Sequence, residues 1–191
     1  EALRLQVMRE ARLTAGRVSS VPTGIDLDVF RPGDAVAARA KLGLPEHRFV
    51  VGIVATLRSW KGHRFLVEAV AGMKDAGALL VIVGDGPGRA NLAAQVQSPG
   101  LAGQVIMAGQ QRNVASWMQA FDVFVLPSYA NEGVPQALMQ AMACGLPVIT
   151  TPVGAIGEIV SDGETGLGDV DHDARDKRSL DNIEFRETGA I

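Results

Sequence analysis

Short, almost wholly apolar runs, each followed by a helical pattern, constrain this chain more than any other feature. Phe49–Ala55 (FVVGIVA) and Ala78–Val83 (ALLVIV) carry no charged or amide side chain, and Gln104–Met107, Asp122–Leu126 and Pro147–Thr150 extend the series. A strand apolar on both faces belongs inside a parallel sheet with helices packed above and below. Helical spacing is expected at 35–42, 65–73, 89–97, 114–120 and 135–143, the last opening on Pro135, where a helix tolerates proline. Strand then helix, repeated about five times, requires parallel strands joined by right-handed crossovers. The expected fold class is therefore α/β, an open doubly wound parallel sheet with helices on both faces.

The flanks read differently. Residues 1–16 suit a linker or helix arriving from a preceding domain: a helix over 1–14, with Leu3, Leu5, Val7, Met8 and Leu13 as its apolar set, ended by Gly16. Arg17–Val21 is a short strand candidate opening a ligand-binding domain over 17–168, followed by a loop over 25–30 with buried apolar anchors. Asp34 is placed to cap the helix at 35–42 and Gly43 to stop it. Residues 169–191 are dense in charge and read as an exposed tail or helix. Asp169, Asp171 and Asp173 suggest a calcium loop, but Ala174 and Leu180 stand where that loop needs Gly and Glu, so no metal is expected.

Composition excludes several classes of function. The chain of 191 residues is 47% apolar and 20% charged, which rules out a disordered protein. Lys plus Arg number 18 against 21 for Asp plus Glu, and a net charge of −3 argues against a general nucleic-acid binder. Cys144 is the single cysteine, so no internal disulfide forms and a reducing compartment, the cytoplasm, is expected. No apolar run reaches the ~18 residues of a spanning helix. The chain starts at Glu1 with no leader-like segment and is expected to be a piece of something longer.

In an open parallel sheet, ligands bind beyond the carboxyl ends of the strands. The segments that matter are 56–62, 84–88, 109–113, 128–135 and 151–157, which share small residues, basic groups and helix starts, a chemistry suited to a phosphorylated ligand. Arg58 and Lys61 follow the first strand and can hold a diphosphate, Arg as a fork and Lys as a point charge; the plain alternative is two solvated surface cations. Gly84-Asp-Gly-Pro-Gly88 is neither the dinucleotide fingerprint nor a P-loop and reads as a tight turn. Asn131-Glu-Gly-Val-Pro-Gln136 is the richest segment. Glu132 precedes a helix, Gly133 admits a close ligand, and N–H groups at Gly133, Val134 and beyond Pro135 can receive an anion. Gln136 and Gln140 share a helical face. His63 can serve as a general base but is more often a surface or helix-start residue. Trp60 can stack on a base or a sugar, or pack on the domain. Cys144 reads as a buried small residue, not a nucleophile.

Taken together, these residues resemble the C-terminal, donor-binding domain of the retaining glycosyltransferase family four, a two-domain GT-B fold whose halves are Rossmann-like. The resemblance covers residues 17–167. It rests on Val21-Pro-Thr-Gly-Ile-Asp26 with Phe30, Val51-Gly-Ile-Val with Lys61-Gly62, Leu80-Val-Ile-Val-Gly-Asp-Gly-Pro87, Val105-Ile-Met-Ala-Gly109, and above all the block from Asp122-Val-Phe-Val-Leu-Pro-Ser128 through Glu132-Gly-Val-Pro-Gln to Pro147-Val148. It implies a nucleotide-sugar donor, such as a UDP- or GDP-sugar, and neither a resident cofactor nor a metal held by a carboxylate pair. Glu132 matches the family glutamate that contacts the donor sugar near the reacting carbon and is the catalytic candidate. The family's second glutamate, which grips the ribose, is Gln140 here, and an uncharged amide makes a weaker bond. Lys61 matches the diphosphate lysine. The family's arginine, five residues earlier, is replaced by Thr56, with Arg58 two residues on. Gly133 and Val134 match backbone donors, and Gly109, Gln110, Gln111 and Arg112 fall where the nucleotide base is bordered.

The acceptor-binding domain, roughly 150–200 further residues, is not in the chain. The implied reaction is transfer of a hexose-type sugar, with retention, to a glycan or lipid-linked acceptor, in polysaccharide or lipopolysaccharide biosynthesis at the inner face of a membrane. The isolated domain is expected to bind donor weakly and transfer nothing. A related GT-B enzyme such as an epimerase, a non-catalytic domain that kept the fold, and a nicotinamide-binding domain are the alternatives.

Overall fold

The computed structural model describes residues 2–168 apart from 20, 22, 74–76 and 99. The charged segment 169–191, with its aspartates, lies outside the described residues. Five strands form one parallel sheet: β1 (Val50–Val54), β2 (Leu79–Val83), β3 (Val105–Gly109), β4 (Val123–Leu126) and β5 (Val148–Thr150). Their order is β3-β2-β1-β4-β5. Among the described residues six α-helices accompany them: α1 (Ala2–Glu10), α2 (Ala35–Leu42), α3 (His63–Gly72), α4 (Arg89–Val96), α5 (Val114–Gln119) and α6 (Gln136–Ala143). The expected doubly wound sheet is present, with each strand within two residues of its expected bounds.

The two-residue period of the strands divides the core in two. Val50, Leu79, Val81, Val83, Phe124, Leu126 and Val148 face one side and pack with Trp117, Met118, Phe121, Leu138 and Ala141. Val51, Ile53, Leu80, Ile82, Val123, Val125 and Ile149 face the other and pack with Leu66, Val67, Val70 and Leu92. Thus α2, α5 and α6 cover one face, and α3 and α4 the other. Gly52 interrupts β1 for a steric reason: a Cβ there would sit 2.0 Å from the Phe121 ring, which fills the space above the strand.

Local chemistry sets the helix ends. The Asp34 carboxylate accepts the N–H groups of Val36 and Ala37 at 2.9 and 3.1 Å, and Gly43 closes α2 with φ 68°. A non-glycine residue resists that left-handed angle. Pro135 is the N-cap of α6 rather than its first helical residue, because its ψ of 121° is still extended.

The N-terminal flank departs from expectation. α1 stops at Glu10, not 14, and Arg12 follows with φ 50°, a break in helical geometry. No strand forms over the described residues of 17–21; residues 15–17 make a 3-10 turn, and Val21 is 84% exposed. The physical reason is pairing: a strand needs a neighbour, and both sheet edges are far along the chain, at β3 and β5. Of the expected anchors in 25–30, only Ile25 and Phe30 are partly buried, while Leu27 and Val29 are exposed. No described residue before Phe30 joins either core.

Candidate functional site

The strand order reverses at β1, whose neighbours are β2 and β4. Crossovers leave in opposite directions there, so a crevice opens between the carboxyl ends of β1 and β4. The segments that follow these two strands are 55–62 and 127–135, and the fold brings them together. The N–H of Tyr129 donates to the carbonyl of Trp60 at 2.9 Å. Gly62, with φ 74°, lies so close to the next segment that a Cβ would be 1.9 Å from the carbonyl oxygen of Pro127. Phe65 and Tyr129 meet edge to face, with ring centroids 6.0 Å apart.

At this junction Lys61 Nζ donates to Glu132 Oε1 at 2.6 Å, across 71 residues of sequence. The Glu132 side chain is only 4% exposed and that of Lys61 20%. A carboxylate so sheltered needs a counter-charge, and Lys61 supplies it. The backbone around Glu132 is tightly determined. Asn131 adopts φ 56°, the left-handed region. Gly154, in the segment after β5, has φ 64° and no room for a Cβ, which would stand 1.9 Å from the Glu132 carbonyl oxygen. The Thr150 hydroxyl donates to the Leu126 carbonyl at 3.0 Å, and the Thr151 hydroxyl to that of Ser128. The third segment therefore props the second. Sequence reasoning marked 151–157 only as a ligand-facing loop; its role as a support was missed, and Gly154 was the one visible signal.

Beyond Glu132 the chain is open. A Cβ on Gly133 would meet nothing within 4 Å, and Val134 is 37% exposed. Among the described residues, nothing accepts from the N–H groups of Gly133, Val134, Gln136 or Ala137. These donors lie at the positive end of the α6 dipole. Gln140 is half-buried, one turn along α6 from the exposed Gln136.

The other expected residues fall in two neighbouring places. A hollow of about 370 Å³ at the carboxyl ends of β1, β2 and β3 is lined by Thr56, Gly84, Asp85, Gln110 and Gln111, among others. Gly109 turns the chain here with φ 70°, and Gln111 Nε2 donates to the Ala108 carbonyl at 2.6 Å. Arg112 is exposed and does not line this hollow. Arg58 stands apart from Lys61: its guanidinium lies over the Trp60 ring at 5.3 Å and lines a second hollow of about 330 Å³, between α3 and α4.

His63 opens α3, as a helix-start residue should, but it is not at the surface: it is 5% exposed where it lines that second hollow. Burial, and then the Lys61 charge, lower its pKa to about 4, against a smaller upward effect of a hydrogen bond with the Arg58 backbone. It is neutral at pH 7. The unfolded chain binds a proton between pH 6.5 and 4 that the folded one refuses, so folding stability falls as pH drops through that window. The expected loss from pH 7 to pH 4 is about 2–3 kcal/mol from this residue. A His63→Asn variant should show a flatter urea-stability profile over the same range. Cys144 is buried in the core, and burial pushes its thiol pKa up, against the smaller pull of the Arg31 backbone, as suits an inert thiol.

Known proteins share this fold. Residues 48–177 match the family model described as Glycosyl transferases group 1. D-inositol 3-phosphate glycosyltransferase 2 of Catenulispora acidiphila is 35% identical over 174 residues, covering 84% of this chain and 40% of that protein. The chain thus spans less than half the length of this curated relative. Among solved structures, Anabaena HepE, crystallised with UDP and glucose, aligns at TM-score 0.77 and 26% identity over 86% of this chain and 46% of that one. The C-terminal domain of a group 1 glycosyl transferase, LpcC, from Francisella tularensis aligns at TM-score 0.65 and 28% identity, over 76% of this chain and 80% of that domain. The chain therefore belongs to the group 1 glycosyltransferases, and its described residues form the C-terminal, Rossmann-like domain of their GT-B fold.

Proposed function

We propose that this domain, spanning residues 17–168, holds the nucleoside diphosphate sugar donor of a retaining glycosyltransferase in the crevice between β1 and β4. The observation that carries this reading is the meeting of Lys61 and Glu132 beside unpaired N–H groups at the start of α6. A diphosphate sugar presents, in order, a base, a ribose, two phosphates and a hydroxyl-rich ring. The hollow lined by Gln110 and Gln111 is of a size for the base, with Gly109 turning the chain beside it. Arg112 is exposed next to this hollow and is assigned to its rim. Gln140 is assigned to the ribose, Lys61 with the N–H groups of Gly133 and Val134 to the diphosphate, and Glu132 to the sugar hydroxyls. Arg58 is a candidate for the diphosphate only if it leaves Trp60. HepE, a structural relative, has also been crystallised with UDP-glucose, which supports a uridine donor first.

In transfer, the bond between the anomeric carbon and the β-phosphate oxygen breaks, and negative charge gathers on the departing diphosphate. A cation and oriented N–H groups already in place stabilise that charge without reorganisation. Acceptor binding belongs to the remainder of a two-domain enzyme, and proximity between the halves drives the encounter. The acceptor class we infer is a glycan or lipid, in polysaccharide or lipopolysaccharide assembly at the cytoplasmic face of a membrane. No helix among the described residues is long and apolar enough to cross a membrane.

Calorimetric titration of UDP, GDP and ADP and their sugar conjugates into the chain tests the donor reading. One base series should bind, with the conjugate and the bare diphosphate differing in affinity. Absence of binding in all three series at millimolar ligand would favour the second reading, a domain that kept the fold and lost the donor, for which Gln140 is the sequence sign.

A further inference from the structure

We infer that Glu132 competes with the diphosphate for Lys61, and that this competition makes the site prefer a sugar-bearing nucleotide over the bare nucleoside diphosphate. The inference rests on the donor reading above. It concerns a consequence of the Lys61–Glu132 contact rather than the identity of the ligand.

Lys61 Nζ already spends a hydrogen bond at 2.6 Å on Glu132 Oε1. To meet a diphosphate, Lys61 must share or abandon that bond. The Glu132 side chain is 4% exposed, so water offers it little in exchange. It also cannot easily withdraw. Its backbone is held between Asn131, at φ 56°, and Gly154, whose α-carbon approaches the Glu132 carbonyl too closely for any side chain. A bare diphosphate therefore takes the only cation bonded to this carboxylate among the described residues and places its own negative charge beside it. Like charges in a sheltered crevice repel, and an uncompensated buried carboxylate is costly. A sugar on the diphosphate changes the balance. Its hydroxyls are donors, and a carboxylate accepts charge-assisted hydrogen bonds from them. The sugar then replaces Lys61 as the partner of Glu132, and Lys61 is released to the phosphates. One contact thus couples the phosphate and sugar parts of the site. It favours entry of the donor and, once the sugar has left, exit of the nucleoside diphosphate.

The test uses the 191-residue chain with calorimetry, comparing wild type, Glu132→Gln, Glu132→Ala and Lys61→Ala. The probes are inorganic pyrophosphate, UDP, GDP and ADP, and the conjugates UDP-glucose, GDP-mannose and ADP-glucose. Glu132→Gln should tighten pyrophosphate and the nucleoside diphosphate that binds wild type by about tenfold, and bring the affinities of bare and sugar-bearing nucleotide close together. Glu132→Ala removes the same charge without the amide and should tighten the bare diphosphate too, which keeps the test sound if either variant disturbs the loop. Unchanged or weaker diphosphate binding in both variants overturns the inference. If Lys61→Ala weakens diphosphate binding in that case, the donor site stands and only the competition fails. If no nucleotide binds wild type and Lys61→Ala leaves pyrophosphate unaffected, the donor reading fails together with the inference.

Discussion

Lys61→Ala is expected to weaken binding of the nucleoside diphosphate sugar by roughly 10²–10³-fold. Two losses combine. The phosphates lose a cation that stands at the β1/β4 crevice, and Glu132 is left without its partner at 2.6 Å. The bare nucleoside diphosphate should lose more than its sugar conjugate, because without sugar hydroxyls the orphaned carboxylate faces the phosphates and repels them. Lys61→Arg should recover only part of the affinity, because a planar fork does not reproduce a compact ammonium at 2.6 Å from one carboxylate oxygen. Because the ion pair is 20% and 4% exposed on its two side chains, added salt should screen it far less than it screens surface charges. Calorimetry at two ionic strengths reads both effects. An alanine variant that binds as wild type would remove Lys61 from the site altogether.

Arg39→Ala is expected to destabilise the domain by about 2–3 kcal/mol, without touching the crevice. Arg39 lies on α2 and is 6% exposed. Its Nε donates to the Ala120 carbonyl at 2.9 Å, one Nη to the Glu46 carbonyl at 3.0 Å, and the other to Asp122 Oδ2 at 2.6 Å. The same Asp122 oxygen accepts the N–H of Val50 at 2.6 Å, so the guanidinium ties α2 to the start of β1 and to the turn before β4. Alanine leaves the buried Ala120 carbonyl without this donor and the part-buried Asp122 carboxylate without its counter-charge, and the cost of an unmade buried bond exceeds the modest net gain of making it. The loss should be visible as a lower urea midpoint at unchanged slope. A midpoint within experimental error of wild type would show that the Arg39 bonds contribute nothing to holding α2 to the sheet.

The two variants separate what local pattern reveals from what it hides. β1, β2 and β4 were visible because apolar runs of four or five residues have few other uses. The cap at Asp34 and the stop at Gly43 were visible because each rests on the chemistry of a single residue. Arg17–Val21 was misread as a strand because valines bounded by a glycine and a proline are a local signal, whereas a strand exists only with a partner. Arg39 carried no signal, since a charged residue in a helix pattern is most often solvated. Its burial depends on Asp122, 83 residues further along the chain. Arg58 and Lys61, three apart, were read as one pair of cations. In the folded chain one lies over Trp60 beside α3 and α4, and the other reaches Glu132.

By itself the sequence determined the class of the fold, the strands that make its sheet and the family signature, and it singled out Lys61 and Glu132 as candidates for the site. Each of these is written in residue type and short-range spacing, which bind the chain whatever its distant parts do. Only the tertiary structure decided that β1 lies between β2 and β4, that the crevice opens there, and that Lys61 and Glu132 form an ion pair braced by Gly154. Those facts depend on crossover direction and on contacts between segments far apart in sequence. Such contacts come into being only when the sheet is assembled and its helices have closed over both faces.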